Sequence, residues 1–370
     1  MISITLFPGR YIQGRGALSR LGSECARLGR KAFVIASPHP QEHLLPAILP
    51  SLRDKCAVEV ETFGRQCCDD EIQRLFKLFG QAGAGLVVGL GGGKTLDAAK
   101  AVAHLAQVPA IMVPTIASTD APCSSVCVVY TQEGTFVRAD CLPRNPDAVI
   151  VDTQVMAEAP ARFLAAGMGD ALATWFEAES CRVKRAPNIA GEVGSMTAYA
   201  LARLCWDTIR EYGLAALASC SARAVTPALE HVVEANTLLS GLGFESAGLA
   251  SAHSVHNGFT ALPQTANYYH GEKVAFGALV SLFLTDKPPS VMDQVYDFCE
   301  SIGLPTTLAE LGLKGVAEQD LRQVAEKACA AGESMHNEPW EASPAVVLDM
   351  IKAADAWGRS RKKGLAGASA

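Results

Sequence analysis

Along the first part of the chain, short apolar runs of β-type residues alternate with stretches of helical spacing. KAFVIAS at 31–37 and AGLVVGL at 84–90 read as strands, and VPAIMVPT at 108–115 and DAVIVDT at 147–153 continue the series. Between them, GGGKTLDAAKAVAHLA sets Leu96, Ala99, Val102 and Ala103 at the three- and four-residue spacing of one helix face. Apolar strands in alternation with helices predict a parallel sheet covered on both faces. Beyond Pro160 the pattern changes. ARFLAAGMGDALATWFEAES, SMTAYALARLCWDTIREYG and PALEHVVEANTLLSGLGFESAGLASAHSVHNG carry helical periodicity with little β-branched clustering. The expected organisation is an α/β domain over 1–160 with a Rossmann-like parallel sheet, followed by an all-α domain over 161–370.

Composition narrows the function classes. A chain of 370 residues is long enough for two domains with separate cores, and 49% hydrophobic against 19% charged residues is a globular balance. The net charge of −6 carries no basic stripe, which argues against nucleic acid and towards small-molecule partners. MISITLFPGRYIQGRG lacks a secretory n-region and apolar core, and no apolar run reaches the roughly 20 residues of a membrane span, so a cytoplasmic protein without a membrane partner is expected. The twelve cysteines are scattered, include no CxxC pair and place Cys67 beside Cys68. They read as free thiols of a reducing compartment.

VVGLGGGKTLDAAK is the first stretch with chemistry. A P-loop would need a glycine where Val88 stands, and Gly89-x-Gly91 is followed by Gly92, Gly93 and Lys94 rather than by the spacing of a dinucleotide fingerprint. The physics survives both mismatches. A strand that runs into glycines at a helix start presents backbone N–H groups beside the positive helix end, where a pyrophosphate can sit. The plainer alternative is a tight strand-to-helix turn. Lys94 adds a cation, and Asp97 stands in the first helical turns. Downstream, PTIASTDAPCSS (114–125) follows another strand with small hydroxyl residues and one charge, Asp120, a residue type that in such a loop is more often a turn or cap residue than a catalyst.

The segment ESAGLASAHSVHNGFTALPQTANYYHGEK holds three of the eight histidines: His253, His256 and His270. In a helix, His253 and His256 would point from one face, and the chain after Pro263 could return His270 to them. An open catalytic metal site uses three protein ligands, and a carboxylate would complete the set. Asp170, in AGMGDALATWFEA, is the candidate, read as standing at a helix start among small and apolar residues. An N-cap role and a cation-binding role are both open for it.

GGGKTLDAAK, PTIASTDAPCSS, GMGDALATWFEAES, GFESAGLASAHSVHNG and YYHGEKVAFG resemble, in order and spacing, the glycerol dehydrogenases of the metal-dependent, iron-type alcohol dehydrogenase superfamily. The resemblance runs from FPGRYIQGRGALSRLG to HNEP at 336–339. It implies an NAD-binding α/β domain, a helical domain of the dehydroquinate synthase-like type, zinc in the cleft between them, and a homo-octameric ring. It also implies zinc ligands at Asp170, His253 and His270, with His256 left as a non-ligand lining the cleft near substrate or nicotinamide; the substrate proton would leave through water or His256, an imidazole being suited to relay it. Gly92, Gly93, Lys94, Thr95 and Asp97 would line the pyrophosphate, while Thr115, Ser118, Asp120, Ser124, Val126 and Tyr130 would contact the cofactor, Asp120 also facing the substrate. The implied reaction is reversible oxidation of glycerol and related 1,2-diols to dihydroxyacetone and hydroxyketones.

Two positions depart from the family pattern. Iron-using members carry a histidine four residues after the metal-binding aspartate, whereas Thr174 stands there; a three-ligand N and O set suits zinc. Where such enzymes commonly end the first strand with an aspartate for the adenosine ribose, this chain has Ser37. That exchange removes a repulsion against a 2′-phosphate and implies tolerance of NADP. Dehydroquinate synthase and glycerol-1-phosphate dehydrogenase share the fold type but take anionic substrates, and the histidine segments offer only Lys273 as a cation. A catalytically idle nucleotide-binding or scaffolding protein is the competing class, set against by the intact Asp170, His253 and His270.

Overall fold

The structure is a computed structural model that describes residues 2–368, with side chains described through residue 362. Eight strands are named among the described residues: β1 (Tyr11–Gly14), β2 (Lys31–Ala36), β3 (Ala57–Thr62), β4 (Leu86–Gly91), β5 (Ala110–Pro114), β6 (Val126–Tyr130), β7 (Phe136–Cys141) and β8 (Ala148–Asp152). Helices α1 (Leu21–Leu28), α2 (Pro38–His43), α3 (Leu45–Arg53), α4 (Asp69–Ala82), α5 (Gly93–Ala106) and α6 (Thr153–Glu158) are interleaved with them. The rest is helical: α7 (Ala161–Lys184), α8 (Met196–Ser221), α9 (Pro227–Glu234), α10 (Ser240–Ala247), α11 (Ser251–Phe259), α12 (His270–Leu284), α13 (Pro289–Ser301), α14 (Glu318–Ala328) and α15 (Pro344–Ala368). The α/β and all-α textures expected on either side of Pro160 are both present.

The chain packs as two units. One comprises residues 6–164 and 215–242. It contains a six-stranded parallel sheet in the order β1-β8-β5-β4-β2-β3 and the antiparallel hairpin β6-β7. The four strands read from the sequence are β2, β4, β5 and β8, displaced by one or two residues. β4, β5 and β8 are buried along their whole length, which is why they appear as uninterrupted apolar runs. Alternate residues pack on opposite faces. Val34, Val88, Ile111 and Ile150 join Leu21, Cys25 and Leu52 in one core, while Phe33 meets Phe79 of α4 edge-to-face at 5.8 Å on the other. β3 lies at one edge and alternates charge outward, with Glu59 and Glu61 paired to Lys31 and Arg74.

At the other edge, β1 explains why residues 215–242 belong to this unit and not with the rest of 161–370. Tyr11 Oη meets Thr237 Oγ1 at 2.7 Å, and Gln13 Nε2 donates to the Glu230 carbonyl at 3.0 Å. The segment covers a strand edge that would otherwise present open polar groups. Its helix α9 starts at Pro227 under a Thr226 cap and runs into a π-helical turn, Ala235–Leu239.

Among the described residues, the second unit comprises 2–5, 165–214 and 243–368. Its central helix is α12, whose run VAFGALVSLFL is almost wholly buried and therefore lacks the polar stripe of a surface helix. α11 lies against it so closely that a Cβ at Gly277 would stand 2.3 Å from the Ala252 carbonyl oxygen. The twelve cysteines are all free, and all but Cys141 and Cys329 are buried. No helix among the described residues is long and apolar enough to cross a membrane.

Asp152, at the end of β8, ties the sheet together on the β1 side. Its carboxylate accepts from the N–H groups of Gly16, Leu18 and Gln154, each at 3.1 Å, so that it caps α6 and closes the turn after β1. Asp152→Ala is expected to lower stability by roughly 2–3 kcal/mol, read as a lower urea midpoint, because three donors of a buried turn lose a charged acceptor.

Candidate active site

In the sheet unit, the carboxyl ends of β2 and β4 lie side by side where the chain order reverses, β3 leaving on one side of β2 and β4 standing on the other. Ligands of open α/β sheets bind at this reversal. Ser37 follows β2, and its Oγ lies 2.7 Å from Thr95 Oγ1 in the first turn of α5. A Cβ at Gly91 would be 2.0 Å from Ser37 Oγ and 2.9 Å from Thr95 Oγ1, so the end of β4 has to be glycine. α5 begins at Gly93 with no side-chain cap, which leaves its first N–H groups available to an anion. Lys94 sits at that end, donating to Gln66 at 2.7 Å with its ammonium 5.1 Å from the centre of the Tyr130 ring.

Other residues expected at this end have structural partners. Asp97 is buried, and its carboxylate takes Lys100 Nζ at 2.9 Å and the Val128 N–H at 3.1 Å. It pins α5 to β6. Lys100 also donates to the carbonyls of Ala121, Ser124 and Val126, which shapes the segment holding Ser124 and Val126. Thr115 follows β5, its N–H on the Gly91 carbonyl at 3.0 Å. Ser118 and Asp120 are buried in the loop beyond. That loop is anchored by residues the sequence did not single out: Asn236 Nδ2 donates to the Ala117 carbonyl at 3.0 Å, and Ser240 Oγ to Asp120 Oδ2 at 2.9 Å. Asp120 is thus held in place by a hydroxyl, a contact its loop composition did not announce.

In the helical unit, Asp170, His253 and His270 come together. One donor atom from each lies within 4.8 Å of the other two. Asp170 is not at a helix start as its small neighbours suggested, but in the middle of α7. Those neighbours serve packing instead. A Cβ at Gly271 would stand 1.8 Å from the Ala166 carbonyl oxygen, and one at Gly169 would stand 2.3 Å from the Gly271 carbonyl oxygen. The α7 and α12 backbones therefore touch beside Asp170 and His270. A capping box of Tyr269 and Glu272 starts α12, which makes His270 its first residue.

His253 is held from behind by Glu177, two helical turns after Asp170 on α7. Glu177 Oε2 lies 2.6 Å from His253 Nδ1, and Oε1 accepts from the backbone N–H groups of Ala250 and His253, both at 2.9 Å. Glu338, in the HNEP stretch, accepts from the Ser251 N–H at 3.1 Å. Two carboxylates from distant segments thus cap α11. A carboxylate on Nδ1 fixes the proton there and turns the Nε2 lone pair forward. Nε2 of His253 and of His270 lie 3.4 and 3.1 Å from Asp170 Oδ1. Tetrahedral zinc, with bonds of about 2.0–2.1 Å, separates its ligand atoms by about 3.3 Å, close to both of these carboxylate–imidazole distances.

The charges ask for a cation as well. Asp170 and Glu177 are both fully buried, and buried carboxylates are costly without positive charge nearby. Burial opposes ionisation of Asp170, but the two imidazoles outweigh it and hold the carboxyl well below its usual range. For His253, burial disfavours the cation, yet Glu177 and Asp170 push its pKa well up. Burial, together with the neighbouring His270, Lys273 and His253 side chains, pushes the His256 pKa well down. His256 lies outside the three-donor cluster. Its Nε2 is 3.1 Å from His270 Nδ1, so it backs a member of the cluster. Thr174, where an iron site would carry another histidine, is fully buried, and a Cβ on Gly243 would stand 2.5 Å from its methyl group.

Comparison with known proteins accords with this geometry. The model of the iron-containing alcohol dehydrogenase family matches residues 8–153. A curated glycerol dehydrogenase of Thermotoga maritima is 58% identical over 98% of this chain and 99% of its own. The chain belongs to the glycerol dehydrogenase family of iron-type alcohol dehydrogenases. It is an enzyme, an oxidoreductase. A glycerol dehydrogenase of Escherichia coli is 48% identical over 95% of this chain and 96% of its own. The crystal structure of glycerol dehydrogenase from Schizosaccharomyces pombe superposes with a TM-score of 0.95 at 38% identity, covering 99% of this chain and 93% of that one. Within this family framework, the cluster at Asp170 depends on the α7–α12 contact. Gly271→Ala is expected to force the two helices apart, lowering the melting temperature and weakening divalent-cation binding at the candidate site at least about 10-fold. Gly80→Ala, where nothing lies within 4 Å of the added methyl, should change neither in chelator competition and thermal unfolding.

Proposed function

We propose that the enzyme is a zinc-dependent, NAD-linked glycerol dehydrogenase that reversibly oxidises glycerol and related 1,2-diols to dihydroxyacetone and hydroxyketones. The observation that carries this reading is the convergence of Asp170, His253 and His270, with one donor atom of each within 4.8 Å of the other two and Glu177 locking one of the imidazoles. Zinc held by these three residues would supply a Lewis acid that lowers the pKa of a substrate hydroxyl. NAD would supply the hydride acceptor, and the hydroxyl proton goes to water.

The chain's own residues do the rest. Gly92, Gly93 and the open N-terminus of α5 receive the pyrophosphate, Lys94 supplies countercharge, and Thr115, Thr95 and Tyr130 border the same sheet end. Asp120, oriented by Ser240, is proposed to hydrogen-bond a second substrate hydroxyl, a physical reason to favour vicinal diols over simple alcohols. A homo-oligomer, octameric by resemblance, and a cytoplasmic location belong to the same reading.

Purified enzyme with NAD and glycerol should raise absorbance at 340 nm, and a zinc chelator should abolish the rise until zinc is restored. Asp170→Ala and His253→Ala are expected to lose both zinc and turnover; full zinc occupancy in Asp170→Ala would overturn the ligand assignment.

Ser37 carries a separate expectation about the cofactor. Its hydroxyl is engaged with Thr95, and no carboxylate stands at this position to repel a 2′-phosphate. The ratio of kcat/KM for NAD to that for NADP is expected to stay within about 100-fold, the scale of one charge interaction near a protein surface. A ratio above about 10⁴ would refute it.

A further inference from the structure

His253 and His270 present the same nitrogen, Nε2, to Asp170, yet only His253 has a carboxylate on its Nδ1. Behind His270 the contacts continue through neutral groups. His270 Nδ1 lies 3.1 Å from His256 Nε2, His256 Nδ1 lies 3.1 Å from Asn257 Oδ1, and Asn257 Nδ2 donates to Glu333 Oε2 at 3.0 Å.

Each link allows one polarity. The Glu333 carboxylate only accepts, so it fixes the Asn257 amide with its NH₂ outward and its oxygen towards His256. That oxygen only accepts, so the His256 proton sits on Nδ1 and its Nε2 carries a lone pair. The lone pair calls for a proton on His270 Nδ1, the tautomer in which Nε2 is offered to a metal shared with Asp170. We infer that Glu333 and Asn257 are positioning residues which, through His256, set the tautomer in which His270 binds the metal. The inference rests on the zinc reading above. It gives His256 a role behind the metal ligand in place of a substrate-side relay. The two imidazoles are then set by the same kind of terminal group, a carboxylate, acting directly through Glu177 on one and through a three-member relay on the other.

The test is zinc affinity of the full-length chain, stripped of metal and titrated against a chromophoric chelator. Asn257→Leu removes the acceptor for His256 and is expected to weaken zinc binding about 10- to 100-fold, the usual effect of losing such an outer partner. Glu333→Leu, which does not touch either histidine, should shift affinity in the same direction. Glu333→Gln, which still offers Asn257 an oxygen, should bind zinc as the parent does. In ¹⁵N-histidine-labelled zinc-loaded protein, the His270 Nδ1 proton should be hydrogen-bonded and protected from solvent exchange in the parent and lose that protection in Glu333→Leu while far-UV circular dichroism and melting temperature stay those of the parent. Unchanged affinity and Nδ1 proton protection in Asn257→Leu and Glu333→Leu, alongside loss of zinc in His270→Ala, would overturn the relay while leaving the zinc site standing. Zinc retained by His270→Ala would overturn the site, and the relay with it.

Discussion

The contact on which the candidate metal site depends is the meeting of two helix backbones at Gly169 and Gly271. With no side chain at either position, α7 and α12 approach until the carbonyl oxygens of Ala166 and Gly271 fill the spaces where methyl groups would be. Asp170 and His270 are the adjacent residues. The packing of these two helices therefore sets how far the Asp170 carboxylate stands from the His270 imidazole. α11 then adds His253, its N-terminus held by Glu177 from α7 and by Glu338 from the HNEP stretch.

The sheet unit shows a comparable economy. Gly91 ends β4 because Ser37 and Thr95 occupy the space beside it, and the uncapped α5 helix starts directly afterwards. The buried Asp97–Lys100 pair lies one turn further on. It is a poor source of net stability as an isolated pair, but it collects carbonyls from Ala121, Ser124 and Val126 and an N–H from Val128. Its effect is to fix the loop that follows β5 against the helix that follows β4.

Much of this was legible in the chain. The four central strands appear as apolar runs because both their faces are buried, and the helices after Pro160 appear in their spacing. The edge strands β1 and β3 and the hairpin β6-β7 do not, since β1 and β3 are only half covered and so lack a long apolar signature. Glu177 could have been found: seven residues after Asp170 is two turns of helix, which places both carboxylates on one face. Asn236, Ser240 and Glu333 could not, because their partners lie between roughly 70 and 120 residues away in sequence and no local pattern marks such a pair.

By itself, the sequence determined the alternation of strand and helix, the glycine turn at the carboxyl end of β4, and the residue types able to hold a divalent cation, because these depend on local periodicity and side-chain chemistry. The division of labour among the histidines was decided by tertiary structure. His253 and His256 share a helix face, but only packing put Glu177 behind one and turned the other towards His270. The same applies to Asp170, whose glycine-rich neighbours read as a helix start until the approach of α12 showed what the glycines are for. Local sequence limits which groups a segment can offer; which of them meet is set by backbone contacts between segments far apart in the chain.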